Sequence, residues 1–120
     1  MNVSEVIEKR RTIRKFKQTP IDADVLRELV RLASLSASAA NLQPLKYKIS
    51  TDEKNFDTLK WAGYLKDGAP KEGERPVAYI AVLGDSKLSK NPAADAGAAI
   101  TTLMLAAAER GIGTCWLGSV

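Results

Sequence analysis

Between Asn91-Pro92 and Gly111 runs an alanine-rich stretch, Ala93 to Arg110, whose bulky members are Ile100, Leu103, Met104 and Leu105. Asparagine suits a helix N-cap, and proline suits the first helical position, where a missing N–H costs nothing. Glycine suits the left-handed residue that closes a helix. Alanine has the highest intrinsic helix propensity, so the stretch is predicted to form the longest helix of the chain. Its apolar residues go nearly all round, which calls for burial in a core or a subunit interface.

The other elements can be read in order. Val3, Val6 and Ile7 stand at i, i+3 and i+4, the spacing of one helix face, and predict a short helix with that stripe turned inward. Asp22 is expected to cap a second helix with the stripe Val25, Leu26, Leu29, Val30 and Ala33, leaving Glu28 and Arg31 on the solvated side. Leu45 to Ser50 alternates apolar and polar, as a strand with one covered face, Lys46 and Lys48 being the wet side. Asp52 to Trp61 is expected to be a short helix with Phe56 and Leu59 inward, followed by a loop over Tyr64 to Asp67. Pro70 to Pro76 is a charged, turn-rich connector. Val77 to Gly84 is almost wholly apolar and is expected to be a central strand covered on both faces. Gly113 to Val120 is expected to be a third strand leading into a turn.

The composition narrows the chemistry. The chain of 120 residues is the size of a single domain with one core. Its net charge of +4 suits an anionic ligand but is too weak to indicate nucleic acid. Histidine is absent, which removes a Ser-His-Asp triad, a Cys-His pair and histidine metal ligation together. Cys115 is the single cysteine, so there is no disulfide framework, and as a lone thiol it reads as a small buried hydrophobe. No metal site and no catalytic side chain stand out; any demanding chemistry is expected of a bound cofactor. No signal peptide and no apolar run of spanning length is present, so the cytoplasm is the expected location, with no membrane partner.

Two stretches carry chemistry. In Arg10-Arg11-Thr12-Ile13-Arg14, four residues can donate hydrogen bonds and three are permanently charged; the guanidinium fork suits phosphate and carboxylate oxygens. A solvated helix end is the plain alternative. The second is the small, polar stretch Ser34 to Pro44, ending Ser38-Ala39-Ala40-Asn41-Leu42-Gln43-Pro44 directly before a strand. Small residues permit close approach of a ligand, and serine and asparagine supply hydrogen bonds. Ser38 and Asn41 could equally cap or turn the loop. Trp116, in isolation, reads as a core or interface aromatic.

Together, Arg-Arg-Thr-Ile-Arg, Ser38-x-x-Asn41-x-Gln43-Pro44, the stretch Trp61 to Asp67 with Arg75-Pro76 and Ala78-Tyr79-Ile80, and Gly111-Ile112-Gly113-Thr114-Cys115-Trp116-Leu117-Gly118 form an ordered set that resembles the FMN-dependent nitroreductase family over essentially the whole chain. Leu45 departs from the tryptophan usual there after Gln-Pro. The resemblance implies an α+β fold, a mixed and mainly antiparallel sheet flanked by helices, with residues 1–120 a single FMN-binding domain. Relatives continue with further helix, another strand and a C-terminal extension that embraces the partner, so the chain would be incomplete at its C-terminus. The resemblance further implies a homodimer with FMN at the interface, passing electrons from NAD(P)H through FMN to nitroaromatic, quinone or similar small-molecule acceptors. By position Arg10 would hold the FMN phosphate, Arg11 and Thr12 would serve the phosphate and ribityl end, and Arg14 would reach the pyrimidine edge. Ser38 and Asn41 would come from the partner subunit, and Trp116, Leu117 and Gly118 would line the isoalloxazine. A truncated flavin-binding or cofactor-free dimerisation module without useful turnover is the alternative.

Overall fold

The computed structural model describes residues 1–54 and 68–118. Its elements are helix α1 (Val3–Lys9), helix α2 (Ala23–Ser34), a 3-10 turn (Ala39–Asn41), strand β1 (Leu45–Ser50), strand β2 (Tyr79–Gly84) and helix α3 (Pro92–Glu109). The helix expected over Asp52–Trp61 lies mostly outside the described residues, as do the loop Tyr64 to Asp67 and the last residues of the expected third strand.

α3 is built as its sequence dictates. The Asn91 side chain accepts from the Ala94 N–H, and Pro92 occupies the first turn. At the other end Gly111 adopts φ 75°, the Gly111 N–H donates to the Ala108 carbonyl at 3.0 Å and the Ile112 N–H to the Ala107 carbonyl at 2.9 Å. That pair of bonds is a Schellman closure, and the Ile112 side chain returns to the core, completing it. Burial is one-sided. Ala99, Leu103 and Ala107 enter the core, whereas Ala93, Ala94, Ala98 and Thr101 remain exposed.

α2 lies against α3. The Asp22 carboxylate accepts from the Asp24 N–H, and Leu26, Leu29 and Ala33 of the expected stripe are buried. Glu28 and Arg31 pair at 2.7 Å on the outer side. The core is the cluster of Leu29, Ala33, Ala99, Leu103 and Ala107, with Leu45, Tyr47 and Ile80 of the sheet packed against it.

β1 and β2 are antiparallel, with Tyr47 opposite Val82 and Ile49 opposite Ile80. Opposed residues share a face, so Leu45, Tyr47, Ile49, Ile80 and Val82 form the helix-facing side, while Lys46 and Lys48 share the outer side with Leu83 and Ala81. This corrects the expectation of a strand covered on both faces: Ala81 and Leu83 are exposed, because α2 and α3 cover a single side. β2 begins at Tyr79, two residues later than expected. An apolar groove of about 510 Å³ runs between β2, α3 and residues 112–117.

Two further expectations are corrected. In α1 Val6 alone is buried; Val3 is 73% and Ile7 56% exposed, because a helix of seven residues meets α3 along a narrow line. Gly113 to Gly118 is no strand. Its one ladder contact among the described residues is a parallel bridge between Thr12 and Thr114. No helix among the described residues is long and apolar enough to cross a membrane.

Leu29 is 2% exposed at the centre of the core. Leu29→Ala is expected to lower unfolding free energy by about 2–5 kcal/mol, read from a urea denaturation midpoint at unchanged slope.

Candidate functional site

The arginine stretch begins where α1 ends. Asn2 opens that helix, accepting from the Glu5 N–H at 3.0 Å while its own amide donates to the Glu5 carboxylate at 3.1 Å. Glu5 stands at the position of a capping-box acid, but it accepts from the Asn2 side-chain amide rather than from the backbone N–H. Arg10 closes it, its N–H bonded to the Val6 carbonyl, and leaves the helix with φ −56° and ψ 136°. Extended backbone then carries residues 11–14 past the segment that follows α3. The Thr12–Thr114 bridge joins the two, and the Ile13 N–H donates to the Thr114 carbonyl at 2.9 Å.

The close approach depends on Gly113. A Cβ there would stand 2.9 Å from Ile13 Cγ1 and 3.0 Å from Ile13 Cβ. Isoleucine is branched at Cβ and stiff about χ1, so it cannot swing aside cheaply. The Phe16 N–H donates to the Glu74 carbonyl at 2.9 Å, and Gln18 Nε2 donates to the Arg75 carbonyl at 2.8 Å, which fastens the far end of the basic segment.

The guanidinium groups stand in different settings. Arg10 is half-buried, and its Nη1 is shielded from solvent with no hydrogen-bond partner among the described residues. A buried, unmatched donor costs about 1–3 kcal/mol, and more when charged, so an acceptor supplied to Nη1 would be favoured. Arg11 is exposed, and its Nη1 donates to the Glu8 carbonyl at 2.6 Å and the Arg10 carbonyl at 2.8 Å. It caps the carbonyl end of α1, which a cation stabilises. Arg14 lies near Cys115: burial pushes that thiol up from its ordinary value, and the positive charge of Arg14 pulls the other way.

Trp116 is not a core residue. It is 49% exposed, and its ring edge rests over Gly97 of α3, with Cη2 3.6 Å from where a Gly97 Cβ would be. Leu117 is half-buried and Gly118 exposed. Thus the backbone bridge sets Thr12 alongside Thr114, and Arg14 lies near Cys115.

Ser38 and Asn41 belong to a loop fastened elsewhere, to the first turn of α3. Ala40, Asn41 and Gln43 all have positive φ, 52°, 53° and 51°. Residues with a Cβ resist that region, at roughly 1–2 kcal/mol each, asparagine least. Several contacts hold the shape. The Gln43 N–H donates to Ser38 Oγ at 3.1 Å, Gln43 Nε2 to Asn41 Oδ1 at 3.1 Å, and the Ala39 N–H to Asp95 Oδ1 at 3.3 Å. Pro44 is fully buried, and its carbonyl accepts from the Asp85 N–H at 2.8 Å.

Asp95 escaped the sequence reading. It was visible there as the one acid on the stripe Asp95, Ala99, Leu103, an unusual guest on a buried face. Among the described residues no group of three or more histidine, cysteine, aspartate or glutamate side chains is arranged to hold a metal ion.

The sequence profile of the nitroreductase family matches residues 7–120. The chain belongs to the nitroreductase family. It is 31% identical over 118 residues to a candidate NADH dehydrogenase/NAD(P)H nitroreductase of Archaeoglobus fulgidus, covering 95% of this chain and 66% of that one. A crystal structure from Parabacteroides distasonis with the same description superposes with a TM-score of 0.77 at 30% identity, covering 92% of this chain and 64% of the other. A candidate nitroreductase of Desulfovibrio desulfuricans, solved in complex with FMN, gives a TM-score of 0.79 at 25% identity, covering 98% and 69%. This family member therefore spans two thirds or less of the length of the curated relatives it matches, 66% and 61%. The α+β arrangement of helices and an antiparallel pair is the nitroreductase fold over that portion.

Gly113→Ala is expected to force Ile13 away and weaken the Thr12–Thr114 bridge. The loss should be about 1–3 kcal/mol of stability, with faster amide exchange at Ile13 than in the wild type; unchanged exchange at Ile13 would show that the glycine is not needed for the approach.

Proposed function

We propose that the chain is an FMN-dependent oxidoreductase of the nitroreductase type, taking electrons from NAD(P)H and delivering them to nitroaromatic, quinone or similar acceptors. We further propose that it works as a cytoplasmic homodimer with flavin at the interface. The observation that carries this reading is the buried, unmatched Nη1 of Arg10, on a segment bridged to Thr114 and so to the run ending Trp116-Leu117-Gly118. The FMN complex of the Desulfovibrio relative supports it.

The chain's own residues fit such a group. Arg10 offers a fixed cationic donor to a phosphate, which removes the cost of leaving that donor unmatched. Thr12 follows beside it for the ribityl end. Arg11 contributes once it exchanges its two backbone acceptors for phosphate oxygens. Arg14 stands near Cys115, next to the aromatic end of the site, where a cation favours negative charge on an electron-rich ring. Trp116 and Leu117 present an apolar wall, and the backbone there, Gly118 included, supplies donors that need no particular side chain. Ser38 and Asn41 act from the partner subunit. Bound FMN would supply the capacity to accept a hydride and release electrons. Proton delivery from solvent is consistent with a chain that lacks histidine.

The test is the visible spectrum of the protein after adding FMN and removing the excess. A retained flavin band and NAD(P)H oxidation with a quinone support the reading; a colourless dimer that ignores FMN would establish the cofactor-free module instead. Arg10→Ala is expected to weaken FMN binding about tenfold or more while changing folding stability by about 1 kcal/mol or less; equal losses would make Arg10 a structural residue. Arg14→Ala should lower the flavin potential and slow its reduction, and an unaltered potential removes the electronic role assigned to Arg14.

A further inference from the structure

We propose that Asp95 is a positioning residue for the flavin site, acting through the Ala39 N–H to hold the Ser38–Gln43 loop in its left-handed shape. This rests on reading Ser38 and Asn41 as flavin-contacting residues.

The setting of Asp95 is costly for what it gains. It is 6% exposed, on the face of α3 that otherwise carries Ala99, Leu103 and Ala107. One oxygen accepts from the Ala39 N–H at 3.3 Å; the other, Oδ2, is buried with no hydrogen-bond partner among the described residues. Packing alone does not explain an acid there, since alanine fills the same face of this helix repeatedly and carries no desolvation cost. The position in the first turn of α3 eases that cost, because the positive end of the helix dipole favours a carboxylate. Among the described residues, the one hydrogen bond its carboxylate makes is to the loop.

At the loop's entrance that contact follows a tie three residues earlier, where the Ser36 hydroxyl donates to Thr102 Oγ1 of α3 at 2.8 Å, and it is the one that acts on the 3-10 turn itself. The loop's exit is secured by buried Pro44 and the Asp85 N–H. Between Ser38 and Pro44, three residues with side chains hold positive φ. Such a conformation persists only where its surroundings impose it. With the Ala39 N–H released, Ala40 and Asn41 can relax toward the right-handed region, which carries the Ser38 hydroxyl and the Asn41 amide out of place. Asp95 thus reaches the flavin site without touching flavin.

The experiment compares wild type, Asp95→Asn, Asp95→Ala, Ala39→Pro and the double variant Asp95→Ala/Ala39→Pro, by FMN titration followed in visible absorption and by amide hydrogen exchange. Ala39→Pro deletes the donor and leaves the acid and the core untouched. The backbone accepts it: Ser38 has φ −131° and ψ 150°, the conformation favoured before proline, and Ala39 is the first residue of its 3-10 turn. Asp95→Ala and Ala39→Pro are each expected to weaken FMN binding about tenfold or more, speed exchange at Asn41 and Leu42 by a similar factor, and alter the shape of the bound flavin band. The double variant should be no worse than either single change, since both delete one interaction. Asp95→Asn, whose amide oxygen still accepts, should stay within about threefold of wild type in both readouts. Exchange in the buried turns of α2 and α3 should be the same throughout.

Unchanged loop exchange and unchanged FMN affinity in Ala39→Pro would overturn the proposal. So would Asp95→Ala loosening α3 as much as the loop, which would make the acid a folding residue. A wild type that takes up no FMN, while both single variants still loosen the loop, would overturn the flavin reading and leave the anchoring role standing.

Discussion

The backbone bridge between Thr12 and Thr114 is the constraint on which the site depends. α1 is short and meets α3 mainly through Val6, too little to fix the direction of the chain that leaves it. The bridge fixes it, and the missing side chain of Gly113 lets Ile13 come close enough for the bond from the Ile13 N–H to form. Arg10 is thereby held half-buried rather than released to solvent. A guanidinium in bulk water has its donors satisfied and gains little from a phosphate; one whose Nη1 has lost its water gains far more. Any affinity of Arg10 for an anion would thus be stored in the packing of Ile13 against Gly113.

The small polar loop achieves a related end by a different route. There the backbone itself is held in an unfavourable conformation, and the contacts that impose it come from α3, from β2's following turn and from within the loop. Both stretches are pre-organised. The arginine segment is pre-organised by steric fit, the loop by hydrogen bonds. In each case the residues that would meet a ligand are ordinary, and the residues that make them competent lie one layer behind.

This layering explains what could be read from the sequence. Helix caps and stripes were legible because they are local: Asn91, Pro92, Gly111 and Asp22 act within a turn of where they stand, and each does what its chemistry predicts. The ordered motifs were legible as a family resemblance, and the family match confirms it. What escaped was non-local. The outer face of β2 is apolar in sequence, yet whether a face is covered depends on which elements lie over it, and α2 and α3 lie on one side only. The segment after Gly111 has strand-like composition, but a strand needs a continuous partner, and among the described residues Thr114 has a single bridge. Val3 and Ile7 had the right spacing for a buried stripe on a helix too narrow in contact to bury it. Asp95 was passed over because an acid on an alanine-rich helix looks like solubility until its burial is known.

α3 also works as a ruler. Its first turn grips the Ser38–Gln43 loop through Asp95, and its last turn closes on Gly111, three residues before the Thr114 bridge. Each residue of an α-helix advances its end by about 1.5 Å and turns it by about 100°. A single insertion or deletion between Asp95 and Gly111 would therefore rotate the exit by more than a quarter turn and put the bridge out of register with the loop. The spacing between the loop anchor and the bridge is thus encoded as a residue count along α3.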